Sequence, residues 1–335
     1  MGDVTAFLST IGQEVEDADE ESFVLFSQDI PSSNLGYVDS RASTVEVTIH
    51  DREYTIHQSP TLLSSARAGG TTGAVLWKIT PLFASWLSNT TFNPLWTNSI
   101  LTSSSTIVEL GCGISALTAL ALSPLLESEG CNGHRHGHYI ATDQEYVHRL
   151  FRQNLESNPP KTQPRNQSSW NPSKKGKRAQ NKASASSSSR GDTAHLHPNI
   201  TFTTLDWELD HPETLKAQIA REGEQQGETD DPGFDLLLSC DCIYNEALIA
   251  PFVRTCADIA RLRPSPSTST SAGSGRSGKP TVCVVAQQQR SPDVFEAWLR
   301  ETMRYFRVYR LNDNVLGKSL GIGSGYLVHG LVLRD

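Results

Sequence analysis

The chain has 335 residues, a formal net charge of -8 and a hydrophobic content of 37%, enough for one large α/β domain with additions or for two ordinary domains. The acidic balance excludes a generic nucleic-acid binder, whose affinity comes from pairing basic groups with phosphates, so no sequence-specific nucleic-acid binding is expected. No apolar run approaches the ~20 residues that span a bilayer, the acidic N-terminus from Glu14 to Glu21 lacks a signal-peptide pattern, and the six cysteines show no disulfide spacing; a reduced, cytoplasmic monomer is expected, with a nuclear location as the alternative.

Residues 1 to about 40 are polar and are expected to be partly ordered. Thr44–Ile49 and Tyr54–Ile56, around His50-Asp51-Arg52-Glu53, alternate as a β-hairpin does. Residues 1–60 therefore read as an acidic extension carrying a hairpin, ahead of a main domain over 61–335. Gly73-Ala74-Val75-Leu76-Trp77-Lys78 then feeds an apolar helical stretch from Pro81 to Leu87. From there strands alternate with helices. Strands are expected at Thr106–Leu110, Tyr139–Thr142, Ile200–Leu205, Phe234–Ser239, Thr281–Ala286, Phe306–Leu311 and Tyr326–Leu333. Helices are expected at Ser115–Leu125, Tyr146–Glu156, Glu246–Leu262 and Pro292–Arg304. This rhythm predicts a doubly wound, mainly parallel α/β sheet of Rossmann-like type with seven strands. Two stretches break it, 157–198 and 264–279, both too rich in Ser, Pro, Gly or Asn to offset the entropy of ordering, and both read as disordered surface insertions between helix and strand.

The run Val108-Glu109-Leu110-Gly111-Cys112-Gly113 is a strand that ends in an acid and a glycine turn. Such a turn brings bare backbone close to a nucleoside-like ligand. The glycines alone also fit a dinucleotide fold. Glu109 decides between them: a carboxylate there repels a pyrophosphate but suits a cofactor with an ammonium and a sulfonium, and S-adenosylmethionine carries both. Asp143, at the end of the second strand, can accept both ribose hydroxyls, or alternatively cap the following helix. Asp206 and Trp207 after the third strand suit an adenine, with a turn Asp and a rim Trp as the plain alternative. Trp77 either walls the pocket or packs the N-terminal segment down. Asp241 and Tyr244, after the fourth strand, stand where a lysine acceptor would enter: a carboxylate orients the amine and an aromatic face holds its stem, with a turn Asp and a buried Tyr as the plain alternative. Cys240 and Cys242 are too close to chelate and read as space-filling. Cys131, His134, His136 and His138 lie in one glycine-rich loop without the paired spacing of a zinc site, so no metal is expected. Lys174, Lys175, Lys177 and Arg178 read as solvated charge in the first insertion.

Trp77 in Gly-x-Val-x-Trp, the Glu109-x-Gly111-x-Gly113 loop, Asp143, Leu205-Asp206-Trp207 and Asp241-x-x-Tyr244, in this order, resemble the lysine methyltransferases of the methyltransferase-like 21 family, and within it the ribosomal lysine N-methyltransferase 5 group. The resemblance covers about Gly73 to Leu333 apart from the insertions. It implies a class I methyltransferase fold, S-adenosyl-L-methionine as cofactor, and cofactor contacts from Trp77, Gly111, Cys112, Gly113, Asp143, Trp207 and Cys240. It also implies a protein substrate, a large-subunit ribosomal protein of the L1 type. Other readings are a lysine methyltransferase acting on a chaperone or other non-ribosomal protein, a non-catalytic assembly factor that keeps the cofactor pocket, and a nicotinamide oxidoreductase, which Glu109 and the Asp241 motif oppose.

Overall fold

The computed structural model describes residues 2–31, 35–67, 70–126, 137–160, 196–218, 233–263 and 279–334. The chain opens with α1 (Gly2–Ile11), β1 (Gly12–Glu14) and α2 (Ala18–Phe26), then a hairpin of β2 (Thr44–Ile49) and β3 (Arg52–His57). Short α3 (Pro60–Leu63), α4 (Ile79–Leu87) and α5 (Pro94–Thr97) lead into the alternating part. That part runs β4 (Thr106–Leu110), α6 (Leu117–Leu122), β5 (His138–Asp143), α7 (Glu145–Ser157), β6 (Ile200–Thr204), β7 (Leu236–Cys240) and α8 (Ile249–Arg261). It closes with β8 (Val282–Gln288), α9 (Pro292–Met303), β9 (Phe306–Leu311), α10 (Asp313–Leu316) and β10 (Tyr326–Leu333).

One eight-stranded sheet takes the order β1-β9-β10-β8-β7-β4-β5-β6. β4 to β8 pair in parallel, whereas β10 lies antiparallel between β8 and β9. Counted from β4, the order is the 3-2-1-4-5-7-6 of a Rossmann-like class I methyltransferase, with β1 added at one edge. The direction of winding reverses between β5 and β7 at β4, and ligands of open α/β sheets sit outside the carboxyl ends of the strands at such a switch point.

Because helices cover both faces, β4 and β7 are apolar runs rather than alternating ones. Ile107 joins a core with Phe83, Leu117, Leu120 and Phe151 on one face; Val108 and Leu110 join Phe252, Val253 and Trp298 on the other. Helix α8 shows how the pattern works. Phe252, Cys256, Ile259 and Ala260 are buried while Arg254 and Arg261 face out, the spacing of one helical face. Ser291 caps α9 by accepting from the Val294 amide, with Pro292 in the first turn.

The first sixty residues depart most from the sequence reading. They are not a separate extension, because β1 pairs antiparallel with β9 in the main sheet and α2 packs on α9. Val4, Phe7, Leu8 and Ile11 bury one face of α1 at helical spacing. Three acids of the run pair with arginines: Glu14 accepts from Arg307 of β9 at 2.8 and 2.6 Å, Glu21 lies 3.1 Å from Arg310 of β9, and Asp19 meets Arg300 of α9. The hairpin is anchored as well. Asn154 and Asn158, one turn apart on α7 and at its cap, meet the backbone of β3 like an extra strand: the amides of His57 and Thr55 donate to their side-chain oxygens at 2.7 and 2.9 Å, and their Nδ2 groups donate back to the same residues' carbonyls at 2.9 Å each.

The expected insertion 157–198 is therefore ordered at both ends. Asn158 is buried, and His197 is buried with its Nε2 3.1 Å from Asn158 O. The stretch 161–195, with the basic cluster Lys174–Arg178, lies outside the described residues, as do 264–278 and Cys131, His134 and His136. His138 opens β5 with Nε2 2.9 Å from Thr201 Oγ1. Among the described residues, no helix is long and apolar enough to cross a membrane.

Candidate functional site

The expected cofactor and acceptor residues, Trp77, Glu109, Gly111, Cys112, Gly113, Asp143, Asp206, Trp207, Cys240, Asp241 and Tyr244, all line one cavity of about 470 Å³ at the carboxyl ends of β4, β5, β6 and β7. The segment Gly70–Trp77 closes it from outside the sheet. Gly111 and Gly113 both have positive φ, +68° and +60°, and a Cβ on Gly111 would collide with Cys242 Sγ. The turn is fixed by three amides: Cys112 N donates to Thr142 O at 3.1 Å, Ile114 N to Gly73 O at 3.0 Å, and Gly113 N to Asp143 Oδ2 at 2.8 Å. The helix that follows begins at Leu117, two residues later than expected, because Ala116 is left-handed at φ +54°.

Glu109 is 2% exposed, and its Oε2 accepts from the Tyr139 hydroxyl at 2.7 Å. Burial pushes its carboxyl up to about 7, against the pull of hydrogen bonds from Tyr139 and Thr118. Asp143 accepts from the amides of Gly113 and Gln144, at 2.8 and 2.7 Å. Burial still raises it to about 6. Both acids are thus anions that the cavity disfavours until a cation joins them.

Across the cavity, Trp207 packs edge-on against Phe252 with ring centroids 5.1 Å apart, and its ring lies beside Gly111. Asp206 accepts from the Glu208 amide at 2.9 Å, which is the turn role foreseen as its plain alternative, while still lining the cavity. Trp77 lines the cavity and also packs against the N-terminal segment. Its Nε1 donates to Thr72 O at 3.0 Å inside the wall, and Tyr37 of the N-terminal segment packs against it at a tilt of 54°, with ring centroids 4.3 Å apart. Cys112, Cys240 and Cys242 are free thiols whose acidity burial suppresses, so they act as filling rather than as nucleophiles.

Asp241 departs from the expected geometry. Its carboxylate does not wait for an amine: Arg290 donates to both oxygens at 2.5 Å, and the Gln288 amide adds a bond at 3.1 Å. Tyr244 is 40% exposed and accepts from Thr72 Oγ1 at 3.1 Å. Sequence reasoning missed Arg290, Thr72 and Tyr146. Tyr146 lines the cavity with its hydroxyl against Gly73, where a side chain would come within 3.0 Å of it. Its place in the first turn of α7, just after Asp143, was a signal; Arg290 offered none, since only the fold brings the end of β8 beside Asp241.

No family model matches the chain. It is similar to a Schizosaccharomyces pombe protein named Diaminohydroxyphosphoribosylamino-pyrimidine deaminase, 24% identical over 91% of this chain and 56% of that protein. It is also similar to Ribosomal lysine N-methyltransferase 5 of Zygosaccharomyces rouxii, 26% identical over 75% of this chain and 70% of the relative. The protein of the same name from Candida glabrata is 29% identical over 60% of this chain and 59% of its own length. The chain thus spans little more than half of the first and third of these relatives. A solved CurJ carbon methyltransferase matches at TM-score 0.39 and 12% identity, over 77% of this chain and 58% of that one.

Proposed function

We propose that the chain is an S-adenosyl-L-methionine-dependent protein-lysine N-methyltransferase, with a large-subunit ribosomal protein of the L1 type as substrate. The observation that carries this reading is the gathering of the glycine turn, Glu109, Asp143, Trp207, Asp241 and Tyr244 around one cavity at the switch point of the sheet. The resemblance to ribosomal lysine N-methyltransferases supports the acceptor.

The residues fit such a cofactor. The cavity volume lies within the ~300–1,000 Å³ usual for small-ligand sites, and Glu109 and Asp143, raised by burial to about 7 and 6, are acids that a cationic ligand stabilises as anions. Asp143 takes the ribose hydroxyls on the lone pairs its backbone amides leave. Trp207 and Asp206 frame the adenine, the glycine turn with Cys112 approaches the nucleoside, and Glu109 faces the cationic end. Trp77 and Cys240 close the wall. The cofactor supplies a methyl group already activated on a sulfonium. The protein's task is to align an amine with it and to deliver that amine uncharged, since a free lysine has a pKa of ~10.4. Tyr244 and Trp77 provide aromatic faces for the lysine stem.

The deaminase name of one relative suggests a second chemistry. Zinc deaminases carry a His-x-Glu followed by Pro-Cys-x-x-Cys. Here His211-Pro212-Glu213 is followed by Cys240-Asp241-Cys242, and no cluster of three such ligands occurs among the described residues. The methyl-transfer reading therefore stands first. Calorimetric titration with the cofactor, followed by incubation with labelled cofactor and ribosomal large subunits, tests it. Binding together with a labelled protein band, acid-stable and mapped to lysine, is expected. Binding without label on any protein would leave a cofactor-binding assembly factor; label on a chaperone instead would move the substrate.

A further inference from the structure

Asp241 holds a conformation that L-residues avoid, with φ +62° and its amide donating to Ala286 O at 2.7 Å. Such strain persists only where the surroundings over-determine it, and it gathers at functional sites. Here the determinant is Arg290, whose guanidinium meets the carboxylate with two parallel bonds; the Asp241 side chain is 3% exposed and that of Arg290 24%. The same guanidinium lies 4.7 Å over the ring of Trp77. Trp77 Nε1 donates to Thr72 O, and Thr72 Oγ1 donates to the Tyr244 hydroxyl. Since Tyr244 follows Asp241 by three residues, these contacts close into a ring: Asp241, Arg290, Trp77, Thr72, Tyr244. Arg290 is the one member that does not line the cavity; it holds the others from behind.

This inference rests on the lysine-methylation reading. A lysine attacks only as the neutral amine, and an unpaired carboxylate beside it would hold it as ammonium, because an opposite charge within ~4–6 Å favours the charged form. We propose that Arg290 is a positioning residue for transfer: it takes up the charge of Asp241 and braces Trp77, so that the incoming side chain meets two aromatic walls and no unpaired anion. Asp241 acts through Arg290 rather than on the amine. The groups that face this pair are Tyr326 of β10, Cys240 and Cys242 beside it and Tyr244 in the ring, with Glu109 and Asp143 on the same cavity. Burial raises Tyr326 to about 12 and lifts Tyr244 and both thiols above their ordinary values, so none of these four titrates between pH 7 and 9.

The test uses the full chain with saturating labelled S-adenosylmethionine and ribosomal large subunits as acceptor, across pH 7 to 10. Arg290→Gln should cut kcat at pH 7.5 by about 10-fold and move the rising limb of the profile up by about one unit, recovering much of the loss at pH 9.5. Asp241→Asn leaves the Arg290 charge unpaired and should move the limb down while KM rises. The double variant Asp241→Asn/Arg290→Gln keeps a neutral hydrogen-bonding pair, which guards against a fold lost to one buried charge, and should return the limb to its original place. A limb that stays put in Arg290→Gln, with melting temperature unchanged, overturns the proposal. A second readout needs no transfer: the emission of Trp77, isolated by subtracting that of Trp77→Phe, should shift in Arg290→Gln while calorimetric cofactor affinity stays within about threefold. If the wild type labels no protein, the lysine reading fails on its own, and the Trp77 emission then decides: a shift sustains the brace and an unmoved spectrum removes it.

Discussion

Asp143 and Asp241 stand at matching places, the carboxyl ends of the two parallel strands that flank β4, yet their neighbours differ. Asp143 is held by two backbone amides, which orient the carboxylate without cancelling its charge. Asp241 is held by a guanidinium on both oxygens. A strand end supplies a carboxylate to the cavity in each case. What lies behind it decides whether that carboxylate is offered to a ligand or becomes an anchor for other side chains. On this view one half of the cavity holds the cofactor by charge, and the other shapes the entry of the acceptor.

The two halves meet at Gly111, where Cys242, next to Asp241, packs with Sγ 3.4 Å from Leu110 O. Gly111→Ala should break both at once, through the collision with Cys242 and a left-handed backbone cost of ~1–2 kcal/mol. Cofactor affinity should fall by about 100-fold or more, read by calorimetry on protein shown to be folded. Asp143→Ala breaks one half only. It should weaken cofactor binding by about 1.5 to 3 kcal/mol, roughly 10- to 100-fold, the scale of charge-assisted hydrogen bonds; unchanged affinity in a folded variant would remove Asp143 from the site.

The charge of the cofactor half can also be titrated. Glu109 and Asp143 have folded values of about 7 and 6, above the ordinary 4.5 and 3.8. Affinity for a cationic cofactor should therefore drop as pH falls from 8 to 6. The stability of the cofactor-free protein runs the other way: a raised acid contributes stability that is full below its unfolded value and lost as pH rises through the folded one. Melting temperature should decline between pH 4.5 and 7.5 in wild type, and less so in Glu109→Gln, which retains an acceptor for the Tyr139 hydroxyl. A Glu109→Gln curve that parallels wild type would assign the decline elsewhere. The smallest effect is expected from replacing 161–195 by a short Gly/Ser linker, which leaves both acids and the Asn158–His197 contact in place. Its sequence is poor in apolar residues, so melting temperature should stay within about 2 °C and cofactor affinity within about twofold, by calorimetry.

How much of this was legible depends on sequence distance. Strands β4, β9 and β10 begin and end where their patterns predict, and the strand-turn-acid units bring their functional ends to one edge because a parallel sheet leaves little other choice. The hairpin β2–β3 was legible from its alternation, but α1, β1 and α2 were missed for the opposite reason. The three residues of β1 carry too little pattern, and the partner that gives Glu14 its meaning, Arg307, is 293 positions away. Asp241 could be placed at the cavity from its strand, but its ion pair could not, because Arg290 lies 49 positions on and follows another strand. Local pattern reports which residues reach the cavity; only the fold reports which of them already have partners.

The most direct test compares Asp143→Ala and Asp241→Asn for methyl transfer to ribosomal large subunits at pH 8, with cofactor raised to saturation of each variant. Asp143→Ala should recover a rate within about threefold of wild type once its weakened site is filled, and Asp241→Asn, whose acceptor KM is raised, should remain about 10-fold slower at a subsaturating acceptor concentration however much cofactor is added. If both variants recover on saturation, or neither does, the division of the cavity into a cofactor half and an acceptor half is wrong.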